Sequence, residues 1–89
     1  KSKQEVLNYY RWLTKKLELP QYKIYIYSRN RGPYAFADYE TDSIHFNCAH
    51  HRTKAVVIDT LLHELVHIHY KFGHGKEMVK IMRGLAKKI

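Results

Sequence analysis

Two histidines four residues apart, the first followed directly by a glutamate, constrain this chain more than any other stretch: His63-Glu64-Leu65-Val66-His67. Residues i and i+4 of an α-helix lie only about 40° apart around the axis, so a helix here presents both imidazoles on one face. That supplies two ligands for one zinc ion. Glu64 then stands beside the metal rather than on it, where its carboxylate can take a proton from a water molecule, as in peptide-bond hydrolysis. The bland alternative is an amphipathic helix whose histidines and glutamate are only solvated or hydrogen-bonded. Three features weigh against it: the strong helical pattern around the motif, the strand-like segments before it, and a third candidate ligand after it.

Catalytic zinc usually takes three protein ligands and keeps a fourth position for water. His69 lies about 240° around the helix from His63 and points to another face. His74 follows Gly73, where the helix can end in a left-handed turn, and is flanked by Gly75. It is the favoured third ligand, with Glu77 on the next helical segment as competitor. One Zn2+ ion is the expected cofactor, with His63, His67 and His74 as metal ligands and Glu64 as the catalytic residue.

A chain of 89 residues is expected to form one domain, 1–89. Its core is small enough that a bound metal would add noticeably to folding. The single cysteine, Cys48, excludes an internal disulfide framework and a four-cysteine zinc ribbon. With no bilayer-length apolar run and no signal-peptide pattern, a soluble intracellular monomer is expected, cytoplasmic or nucleoid-associated, without a membrane partner. The net charge of +8 suggests acidic partners such as nucleic acid. Because the lysines and arginines are scattered, a merely solubilising surface explains the charge about as well.

The fold class expected is α+β. Ser2-Lys3-Gln4-Glu5 fits a capping box, and Val6, Tyr10, Leu13 and Leu17 recur at helical spacing up to Pro20. The Tyr9-Tyr10-Arg11-Trp12 cluster reads as scaffold rather than as a stacking surface. Tyr22 to Tyr27 alternates as a half-buried strand, with Tyr22, Ile24 and Ile26 on one face. Tyr34 to Tyr39 and Ser43 to Cys48, separated by Glu40-Thr41-Asp42, predict a hairpin with Ile44, Phe46 and Cys48 inward and His45 and Asn47 outward. His50-His51 reads as a surface connection rather than a second metal site. Thr53 caps a helix reaching about Phe72, whose positions Val56, Val57, Leu61, Leu65 and Ile68 face the sheet. Asp59, one turn before His63, is a candidate to orient that ring. A last helix carries Met78, Ile81 or Met82, Leu85 and Ile89 on one stripe. No oxyanion-stabilising group stands out, Tyr39 and Tyr70 being the candidates.

This succession resembles the SprT-like family of small zinc metallopeptidases. The shared part covers roughly Tyr22 to Arg83: the His63-Glu64-Leu65-Val66-His67 helix, the His74-Gly75-Lys76-Glu77 opening of the next helix, and the strand Ile44-His45-Phe46-Asn47 ending in asparagine. The resemblance implies a zincin-type fold, His63, His67 and His74 as zinc ligands, Glu64 as general base, and a metalloendopeptidase acting on protein or peptide substrates associated with DNA. The chain departs from many members in the shorter loop between His67 and His74, and in lacking the extra zinc-binding module of some. It is also similar in architecture to the minigluzincins, single-domain archaeal peptidase-like proteins that can be held latent by their own chain; that likeness implies Glu77 or another downstream glutamate as third ligand. A third expectation, of a different class, is a non-catalytic basic module that binds nucleic acid and carries at most a structural zinc.

Overall fold

The structure, a computed structural model, describes residues 2–50, 53–71 and 75–89. Local chemistry starts the first helix. In α1 (Lys3–Lys16) the Ser2 hydroxyl accepts from the Glu5 backbone N–H and the Glu5 carboxylate accepts from that of Ser2, a complete capping box. The helix ends at Leu17, and Glu18 turns left-handed (φ 56°). Val6, Tyr10, Leu13 and Leu17 are all buried. The Tyr10 hydroxyl donates to the Tyr22 carbonyl at 2.8 Å, and burial pushes its pKa up to about 12. Trp12 is exposed, with the Lys54 ammonium over its ring.

Three strands follow: β1 (Lys23–Tyr27), β2 (Ala35–Asp38) and β3 (Ser43–Asn47). β2 and β3 form the expected antiparallel hairpin, through a turn in which Asp42 adopts φ 48°. β1 joins the other side of β3 and runs parallel to it, so the sheet order is β1-β3-β2. β2 is therefore an edge. Ile44 and Phe46 are buried as expected, and so is Cys48, which lies just past the strand in a short 3₁₀ turn. Asn47 departs from its expected outward exposure: it is fully buried because the chain after β1 folds over it. Its side chain accepts from the Arg29 N–H and donates to the Arg29 carbonyl, tying that loop to the end of β3.

The central helix α2 (Lys54–Tyr70) begins at Thr53, whose hydroxyl accepts from the Val56 N–H. Val57, Leu61, Leu65 and Ile68 are buried against α1 and the sheet. Val56, expected on that stripe, is 45% exposed. Its angular position falls within about 20° of the line through His63 and His67, so it faces the open side of the helix. The left-handed residue that ends α2 is Lys71 (φ 57°), whose N–H bonds the His67 carbonyl; a turn at Gly73 lies outside the described residues. In α3 (Lys76–Ala86), Met78 and Leu85 are buried and Ile81 and Met82 partly so. Ile89, expected on the same stripe, lies past the helix and is exposed. No helix among the described residues is long and apolar enough to cross a membrane.

Candidate active site

Each functional side chain is placed by an element the sequence specifies locally. α2 carries His63 half-buried and Glu64 and His67 buried, each of the last two only 7% exposed. The Nε2 atoms of His63 and His67 approach to 3.1 Å, with their ring centroids 4.6 Å apart and the planes at 74°. Two nitrogens bound to one tetrahedral zinc at about 2.0–2.1 Å would stand ~3.3 Å apart, so the pair fits a shared metal with almost no rearrangement.

Opposite the histidines stands β2. Alternation sends Ala35 and Ala37 toward α2 and Phe36 away from it. The two methyl side chains let the strand approach the helix closely. What remains is a cleft of ≈ 330 Å³, lined by Ala35, Phe36, Ala37, Tyr39, His63, Glu64 and His67. One rim of that cleft is β2, an edge of the sheet, with no further strand beside it among the described residues.

Tyr39, from the sequence only an oxyanion candidate, makes a contact with His67 that sequence reasoning missed. Its hydroxyl lies 3.1 Å from His67 Nδ1, on the ring nitrogen away from the His63 contact. A partner there that accepts the Nδ1 proton leaves Nε2 with its lone pair toward the cleft, which is how outer partners orient a metal-binding imidazole. The available signal was parity: 35, 37 and 39 share one side of the strand, so Tyr39 continues the inward row one residue past β2. Lys71 fixes it from the helix side. Its ammonium is 5.4 Å from the Tyr39 ring centroid, 3.4 Å from the Tyr39 carbonyl and paired with the Asp42 carboxylate.

The other candidates separate. Asp59 is exposed, beside a surface groove between α2 and the end of α3, with no hydrogen bond to His63. His69 points away as expected, its Nδ1 2.7 Å from the Tyr22 hydroxyl. Tyr70 is exposed, packed edge-on against His69. His50 stacks on Tyr34 and His45 between Phe36 and Tyr25. Glu77 is exposed in the first turn of α3. Among the described residues no three His, Cys, Asp or Glu side chains come together as a metal-holding group. His74, like His51, lies outside the described residues.

No family model matches this chain, and no curated protein matches it. A solved structure does: the crystal structure of the metallopeptidase zymogen jannalysin of Methanocaldococcus jannaschii superposes with a TM-score of 0.74, covering 89% of this chain and 79% of that one. The two chains share one α+β fold. At 18% identity the likeness extends to the fold alone.

Proposed function

We propose that the chain is a zinc-dependent metalloendopeptidase, with zinc held by His63, His67 and His74 and Glu64 as general base. One observation carries the reading: two converging imidazole nitrogens, 3.1 Å apart, share a cleft with a buried glutamate and the edge strand β2. Zinc, when bound, supplies Lewis acidity that polarises a carbonyl and acidifies a water molecule. An extended substrate pairs by main-chain hydrogen bonds with the edge of β2, and Ala35 and Ala37 leave room for it beside α2. Glu64 accepts a proton from the attacking water and delivers it to the amine nitrogen as the C–N bond breaks. Tyr39 keeps the His67 ring in the orientation the metal needs.

His74 is preferred as third ligand because Glu77 is exposed and forms no group with His63 and His67. Zinc content tests this: His74→Ala is expected to lose the ion and Glu77→Ala to keep it, and the reverse would move the chain toward the minigluzincin pattern. The likeness to a zymogen favours a second reading, a latent peptidase of that type. The deciding experiment is cleavage of an unfolded protein by the zinc-loaded chain and by Glu64→Gln, with metal content measured for both. A loss of at least about 100-fold at unchanged zinc is expected. Equal cleavage by the variant overturns the assignment of Glu64, and no cleavage by either despite bound zinc favours the latent form.

A further inference from the structure

The sheet turns its aliphatic side to α1 and α2; on the other side Ser43 and Asn47 of the central strand are buried, while the rings of the flanking strands reach water. On that outer side, register aligns Tyr25, His45 and Phe36 in one row across the three strands. Their rings stack as a column: Phe36 on His45 at 4.4 Å and 5°, Tyr25 on His45 at 4.9 Å and 24°. Tyr25 is 43% and Phe36 41% exposed. The next row continues the pattern, with Tyr27 on β1 and, beyond β3, Tyr34 stacked on His50 at 4.5 Å. Cations flank both rows, the Lys23 ammonium 5.1 Å from the Tyr25 ring and the Arg29 guanidinium 5.3 Å from that of Tyr27. The one carboxylate among the strand residues of this face, Asp38, is turned into the hairpin, where it accepts from the Glu40 and Thr41 N–H groups.

A water-facing aromatic column with cations at its sides suits a polyanion whose own flat groups are uncovered. We propose that this sheet face binds single-stranded nucleic acid, with unpaired bases extending the stack from Phe36 while Lys23 and Arg29 meet the phosphates. Base–aromatic stacking contributes ~1–3 kcal/mol per base and is available only where bases are not already covered in a duplex. The proposal does not rest on the peptidase reading, since it uses neither the histidine pair nor Glu64, although Phe36 also borders the cleft. Binding would nonetheless hold a nucleic acid one strand's thickness from the cleft, through Phe36 outside and Ala35 and Ala37 inside.

The test is fluorescence anisotropy with a labelled oligothymidylate of about 12 nucleotides and a duplex of the same length, over a salt series, for the chain and for variants verified as folded by circular dichroism. Leucine keeps strand propensity and bulk but cannot stack. Tyr25→Leu/Phe36→Leu is therefore expected to weaken single-strand binding by about tenfold or more at an unchanged salt slope. Lys23→Gln/Arg29→Gln should instead lower that slope by roughly 1 to 2. If the double leucine variant does not fold, Phe36→Leu alone is measured, with about a fivefold loss expected. Undiminished affinity in the leucine variants, or a duplex bound as tightly as the single strand, overturns the proposal. So does self-association lost in those variants, measured by sedimentation, in place of a nucleic-acid effect: that would assign the face to a second copy of the chain.

Discussion

The two faces of the sheet are written by the same strands in strict alternation, yet they do opposite things. Inward, Ile44 and Phe46 are fully buried and Ala35 and Ala37 set how near α2 can come. Outward, Tyr25, His45 and Phe36 stack in contact with water. The inner face holds the molecule together and positions the histidines; the outer face contributes far less to stability than its large side chains would inside. Burial, rather than residue size, decides which ring the fold depends on.

Exchanging one ring on each face would break or sharpen this contrast. Phe46→Ala should have the largest effect. It empties a site with no solvent exposure between the sheet and α2, and such truncations cost ~3–5 kcal/mol. Out of a total stability of about 5–15 kcal/mol for a domain of ordinary kind, that leaves a chain close to unfolding. A denaturant midpoint near that of the parent chain would mean that the inner face is not the core described.

The same contrast explains how far the sequence could be read. α1 with its capping box, the Thr53 cap, the hairpin and, but for Val56, the stripe of α2 all depend on neighbours within a few residues, and each appears where local pattern places it. Non-local facts were harder. Nothing near Tyr22–Tyr27 says that β1 passes the hairpin turn and pairs parallel with β3, because both partners of β3 satisfy the same alternation. The burial of Asn47 depends on a loop 18 residues away, and its polarity suggested the opposite. In the candidate site, the facing of His63 and His67 on one side of α2 was legible from their spacing. Tyr39 was not, since its role depends on the turn that swings it toward His67 and on Lys71 holding it there. Val56 was misplaced because the stripe of His63 and His67 reads as apolar at its N-terminal end, although it opens to solvent.

An intermediate effect is expected at Tyr39, which belongs to the inner row but lies beyond the core. Tyr39→Phe keeps the ring under the Lys71 ammonium and removes only the hydroxyl at His67 Nδ1. Partners of metal-bound imidazoles typically change metal affinity by ~10–100-fold. Zinc affinity should therefore fall within that range while the melting temperature of the metal-free chain barely moves. Equal zinc affinity in both proteins would show that the cleft orients His67 without this contact.

The smallest effect on folding is expected on the outer face. Phe36→Leu removes one ring from a column in which it contacts His45 on one side and water on the other. Cross-strand pairs of this kind contribute ~0.2–1 kcal/mol, so the denaturant midpoint should shift by under about 1 kcal/mol in energy terms. The comparison becomes quantitative when Phe36→Ala is measured beside Phe46→Ala, since two phenylalanines on adjacent strands of one sheet should then differ in cost according to which way alternation points them. A loss as large as that of Phe46→Ala would mean that the outer column is a second core, and its rings would then be accounted for by folding alone. A small loss accompanied by weaker binding to single strands would mean that the column is kept for a ligand, since stability does not require it.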